Sequence, residues 1–105
     1  MTIRPRAVHR ITLPITDVNE QKLPGFYRAI HAAPARPDKA ATDFGFELWY
    51  ECDPTISDEL TVRIYVHGTG HRFTHDGEHV STFTSTDGAL VWHVYVEYPV
   101  IREGS

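Results

Sequence analysis

A chain of 105 residues, 41% hydrophobic and 23% charged, is the size of one globular domain and leaves no room for a second. A net charge of −4 with neutral histidines argues against a nucleic-acid binder that neutralises many phosphates, and the one basic cluster, Arg4, Arg6 and Arg10, sits near one end. The lone cysteine, Cys52, excludes an internal disulfide and fits a reducing compartment. The basic stretch from Met1 to Arg10 leads into no apolar run of signal-peptide or membrane-spanning length, so the expectation is a soluble intracellular protein.

Period-two alternation dominates the chain. In "ITLPI", Ile11, Leu13 and Ile15 share one side, which predicts a strand. The segment "LPGFYRAIHAA" supports two readings. Pro24 suits the first turn of a helix, with Phe26, Tyr27, Ile30 and Ala33 on one helical face. As a strand, Tyr27, Ala29 and His31 alternate with Arg28, Ile30 and Ala32. Ala33 to Asp43, with two prolines and no periodicity, reads as a loop. "FELWYEC" sets Phe46, Leu48, Tyr50 and Cys52 on one side, with Glu47, Trp49 and Glu51 on the other. Asp53-Pro54 closes it. "LTVRIYVH" sets Leu60, Val62, Ile64 and Val66 against Thr61, Arg63, Tyr65 and His67.

Asp76-Gly77 and Asp87-Gly88 are dipeptides of the hairpin type. The second lies between "STFTST" and "ALVWHV" and predicts a hairpin there. "LVWHVYVEY" sets Leu90, Trp92, Val94, Val96 and Tyr98 against Val91, His93, Tyr95 and Glu97. The expected fold is all-β: a single antiparallel sandwich or partly open barrel of about six to seven strands. Its ordered part should run from about residue 7 to residue 99, between short flexible ends.

Four of the seven histidines, His67, His71, His75 and His79, recur at every fourth position. On a helix they would share a face, but Gly68, Gly70 and Gly77 disfavour a helix. On an extended strand they would lie roughly 13 Å apart, too far for one metal ion. Only a loop that folds back would bring two together. His67 therefore reads as the end of a strand, His71 and His75 as loop residues, and His79 as the start of the next strand. Zinc sites want three or four ligands, and no cofactor is expected. Were a metal bound, His71 and His75 would hold it with His79 or Asp76. There is no G-x-G-x-x-G and no G-x-S-x-G, and carboxylate pairs such as Asp58-Glu59 or Glu47/Glu51 arise in any acidic chain. No catalytic residue stands out, and no enzyme is expected.

The ordered motifs "HRITLPI", "LPG", "ELWYECDP", "VRIYVHGTGH", "GEHVST" and "LVWHVYVEY" resemble a family of small, uncharacterised bacteriophage proteins common in phages of actinobacteria. The resemblance spans about Val8 to Tyr98. Gly68, Thr69, Gly70 and His71, and Leu90, Val91, Trp92 and His93, match its two most specific motifs. Arg72-Phe73 stands where the family has Pro-Ile, His9 stands where it often has tyrosine, and His75 and His79 lie outside its pattern. The resemblance implies a β fold, a phage gene acting in host cytoplasm and a strand after Leu23-Pro24. It implies a framework role for Gly68, Gly70, His71 and Trp92.

The less apolar faces of the clearest strands carry Trp49, Arg63, Tyr65, His67, His93 and Tyr95. Tyrosine, tryptophan and arginine dominate binding hot spots. These six residues are the expected partner-binding face, unless a second layer covers it. The leading expectation is a non-enzymatic phage accessory protein that binds a host factor, a defence component or a second copy of itself, with no nucleic acid and no membrane involved. The alternatives are a virion structural or assembly protein acting as an oligomer, and a metal-dependent hydrolase centred on His71.

Overall fold

The structure is a computed structural model that describes residues 4–36, 45–85 and 87–98. Seven strands carry the fold: β1 (Ala7–Pro14), β2 (Val18–Pro24), β3 (Phe26–Pro34), β4 (Gly45–Cys52), β5 (Glu59–Gly68), β6 (Glu78–Thr84) and β7 (Val91–Glu97). They form two antiparallel sheets, in the orders β1-β4-β3 and β2-β5-β7-β6, packed face to face as a sandwich that does not close into a barrel. No helix occurs among the described residues, so none there is long and apolar enough to cross a membrane.

The alternation in β4, β5 and β7 builds the core. Phe46, Leu48, Tyr50 and Cys52 point inward from one sheet and meet Val62, Ile64, Val66, Val94 and Val96 of the other, with Leu13, Leu23, Phe26 and Ala32 around them. Each large side chain buried this way contributes roughly 1.5–3 kcal/mol.

The segment after Leu23-Pro24 is a strand, which resolves the choice between helix and strand. Two register shifts, between Phe26 and Arg28 and between Ala29 and His31, each add a residue to β3 against β4. The inward residues are therefore Phe26, Ala29 and Ala32, spaced by three, which imitates a helical stripe. β2 carries no apolar alternation in the sequence because its inward positions include Asn19 and Gln21 at the rim. Backbone pairing to β5 forms it all the same.

The chain passes from β2 in one sheet to β3 in the other through Gly25 alone, at φ +65°. β3 and β6 lie side by side along one seam, where the Ala32 N–H donates to Ser81 Oγ at 2.8 Å. The β6–β7 hairpin forms at Asp87-Gly88 as expected, with Gly88 at φ +78°. Asp76-Gly77 does not form one. β5 pairs with β7 and not with β6, and Gly77 lacks a positive φ. Residues 37–43 of the expected Ala33–Asp43 loop lie outside the described residues, whereas Ala33 and Pro34 end β3.

Candidate binding faces

The register between β5 and β7 sets Arg63 opposite Glu97, Tyr65 opposite Tyr95 and His67 opposite His93. Five of the six residues expected to form a partner-binding face therefore share the outer side of the β2-β5-β7-β6 sheet. Trp49 does not join them. It sits on β4 between Arg10 and His31, on the outer side of the opposite sheet. Alternation tells which residues of a strand share a side, but not which sheet the strand enters.

Over Tyr65, His67 and Tyr95 the face is covered by the chain itself. Because β6 pairs beyond β7, the connection from β5 must cross over the sheet. It starts with a turn in which Gly70 takes φ +88° and the His71 N–H donates to Gly68 O at 3.1 Å. Phe73 then stacks on His67, with ring centroids 4.4 Å apart and planes at 2°. His75 stacks on Tyr65 at 3.6 Å and 10°. Both also contact Tyr95. His67 is buried in consequence, while Arg63, Tyr65, His93 and Tyr95 stay half-buried and Phe73 itself is exposed.

The histidine-rich stretch does fold back, but it joins His67 and His75, whose Nε2 atoms are 2.7 Å apart. It does not unite His71, His75 and His79. His71 is exposed in the turn, and His79 bonds Thr82 Oγ1 at 2.9 Å. No group of three or more His, Cys, Asp or Glu side chains among the described residues is arranged to hold a metal. His93 is bonded through Nε2 to Thr69 Oγ1 at 2.8 Å and through Nδ1 to Thr82 Oγ1 at 2.9 Å. Trp92 packs against the core opposite Gly68. His71 serves the turn through its backbone.

The contacts of His75 fix the protons of the pair. His75 Nδ1 accepts the Gly77 N–H at 3.0 Å, so its own proton sits on Nε2 and is donated to His67 Nε2. A proton added to either ring sets two donors against each other. Burial also pushes both histidines below the ordinary imidazole pKa of about 6.5. His71 and His93 press His67 lower and Asp17 opposes them. His67 presses His75 lower, and Glu97 and Asp76 oppose it. A lowered folded pKa means that the unfolded or opened chain takes up protons first. The stability from this pair is whole above about pH 6.5 and is lost as pH falls through the lower folded values. From about pH 7 to about pH 5, the Gly77 amide is expected to lose its hydrogen-exchange protection while Val94 in the core keeps its own. A Gly77 amide protected throughout would show that the pair does not hold the loop down.

The outer side of the β1-β4-β3 sheet is differently built. Glu47 points outward yet is fully buried. Its cross-strand neighbours, Thr12 and Ala33, are short, and Arg10 and Arg36 close over it. Arg10 Nε lies 2.9 Å from Oε2, and Arg36 reaches Oε1 with its Nε at 3.1 Å and its backbone N–H at 3.0 Å. Glu51 takes Arg28 Nε at 2.6 Å and Arg6 at 3.5 Å, and Arg4 lies 3.9 Å from Asp53. Arg6 Cζ rests 3.6 Å over the Tyr27 ring. Five arginines thus lie above three carboxylates, with guanidiniums toward solvent and acids beneath. Among the described residues the face has an excess of two positive charges, on a chain of net −4.

Sequence reasoning passed over this face. Arg4, Arg6 and Arg10 were visible as a cluster, and Glu47 and Glu51 as a pair on one side of a strand. The missing link was the pairing of β1 with β4, which stacks one set on the other.

No curated protein and no solved structure matches the chain. A family model described as Domain of unknown function (DUF7352) matches residues 4–104, nearly the whole chain, and the protein belongs to that family.

Proposed function

We propose that the protein is a non-enzymatic phage accessory protein that binds a protein partner in the host cytoplasm, a host factor or a component of host defence. The phage setting rests on the motif resemblance alone. The binding surface is the arginine-bearing side of the β1-β4-β3 sheet. The carrying observation is the layering just described: buried Glu47 and part-buried Glu51 hold Arg6, Arg10, Arg28 and Arg36 in fixed positions facing solvent. Guanidiniums held in place lose less side-chain entropy on meeting a partner than free ones do. Trp49 and Tyr27 add aromatic area between them.

The test is affinity purification of tagged protein from a bacterial lysate, beside an Arg6→Glu/Arg28→Glu variant. One dominant host protein at near-stoichiometric yield, weakened at least about tenfold in the variant, is the expected result. A partner held equally by both forms would move the interface elsewhere. A clean lane for the wild type would sink the host-factor reading for that lysate.

A further inference from the structure

β1 is the edge of its sheet. It pairs with β4 on one side, and no strand among the described residues pairs with the other. An edge strand presents a row of N–H and C=O groups ready to template another strand. Natural edges are commonly blunted by bulges or by inward-pointing charge. β1 runs from Ala7 to Pro14 with no register shift against β4. Its inward positions are Ala7, His9, Ile11 and Leu13, and none of them carries a fixed charge. Between Pro5 and Pro14 the edge is therefore regular and unprotected by either device.

The outward positions decide what such an edge would accept. Arg10 faces out opposite Trp49, and Arg6, four residues before it, reaches Glu51 on the same side. Val8 stands between them, 55% exposed. An incoming strand places alternate side chains about 4.5–5.5 Å across from these residues. A second copy of the chain, paired antiparallel about Val8, would set Arg6 against Arg10 twice over. Like charges directly opposite are destabilising. Carboxylates at every second position would instead meet Arg6 and Arg10 favourably, and the residues between them would lie beside Ala7, His9 and Ile11.

We propose that β1 is a docking edge for an extended acidic segment of the partner protein, added as a further strand with acidic residues on the arginine side and apolar residues between. This rests on the binding-module reading above and names the partner's chemistry. Main-chain hydrogen bonds supply affinity, and the period-two pattern supplies selection.

The probe is a short blocked peptide alternating glutamate and valine, titrated into isotope-labelled protein at roughly 10 mM ionic strength, where the Debye length is about 30 Å. Its controls are a peptide of the same composition with its glutamates grouped together, and the alternating peptide with alternate backbone nitrogens methylated, in both phases. The alternating peptide should bind at least about tenfold tighter than the grouped one, the sum of a few favourable cross-strand pairs. It should shift the amides of Ala7 to Leu13, lose binding when methylated in one phase only, and weaken with Val8→Glu. Equal binding of both orders, indifferent to methylation and with shifts at Arg28 and Arg36, would overturn the added strand while leaving the arginine face standing. No binding of either acidic peptide would overturn the proposal, and the lysate capture decides the broader reading separately. Concentration-dependent dimerisation that Val8→Glu weakens, with no binding preference for the alternating peptide, would overturn it in favour of a second copy.

Discussion

Replacing Arg10 and Arg36 together by alanine is expected to lower folding stability by about 2–3 kcal/mol, whereas Glu47→Gln should cost only about 1–2 kcal/mol. The asymmetry follows from where each partner sits. Glu47 is fully buried, while the Arg10 and Arg36 side chains are 38% and 49% exposed. Removing the carboxylate leaves two guanidiniums that water can solvate. Removing the guanidiniums takes away both the charge partners and the cover of Glu47, and leaves a half-enclosed anion that keeps the Arg36 N–H as a donor. Arg36→Ala alone should cost more than Arg10→Ala alone, because Arg36 engages both carboxylate oxygens, through Nε at 3.1 Å and Nη2 at 3.4 Å.

Urea unfolding with an unchanged m value gives these differences directly. The decisive variant is the triple one. Adding Glu47→Gln to the double alanine chain should restore stability, since it removes the uncompensated charge. A triple variant less stable than the double would mean that the arginines contribute by packing their stems and not by compensating Glu47.

The elements that could be read from the sequence are those whose inward side alternates without interruption. β4, β5 and β7 were legible because each buries every second residue against the opposite sheet. β3 was not, because its two bulges turn a period of two into a spacing of three, and no local rule separates that from a helix. β2 was not, because an edge strand with Asn19 and Gln21 at the rim carries little burial signal. The binding face was half legible. Pairing Tyr65, His67, His93 and Tyr95 needed only the β5–β7 hydrogen-bond ladder. The stacking of Phe73 and His75 on them depends on a loop path set by strand order, which periodicity does not contain. The same limit hid the arginine face: its members come from β1 and the residues before it, from β3 and Arg36, and from β4 and Asp53, and the register brings them together.

Gly25→Ala is expected to cost about 3–5 kcal/mol, and Gly70→Ala only about 1–2 kcal/mol, although both glycines have positive φ. At Gly70 an added Cβ meets nothing within 4 Å, so only the left-handed backbone is penalised. At Gly25 the Cβ would fall 2.2 Å from the carbonyl oxygen of Asp53, and a backbone atom cannot swing aside as a side chain can. Relief requires the corner to move. The corner is bonded on both sides, since the Asp53 N–H donates to Gly25 O at 2.9 Å and the Gly25 N–H donates to Asp58 O at 3.3 Å. Those two bonds tie the crossing from β2 to β3 to the two ends of the β4–β5 connection, so the strain should spread into both sheets.

The binding face should register the same damage. Tyr27 and Arg28 follow the corner directly, and they carry the Arg6 stacking and the Glu51 ion pair. Partner capture should therefore fall in Gly25→Ala even at temperatures where the chain remains folded. Gly70→Ala, on the far side of the sandwich, should leave capture intact. Equal stability losses at the two glycines would show that the Asp53 carbonyl yields without strain. The single-residue crossing would then owe its glycine to φ alone.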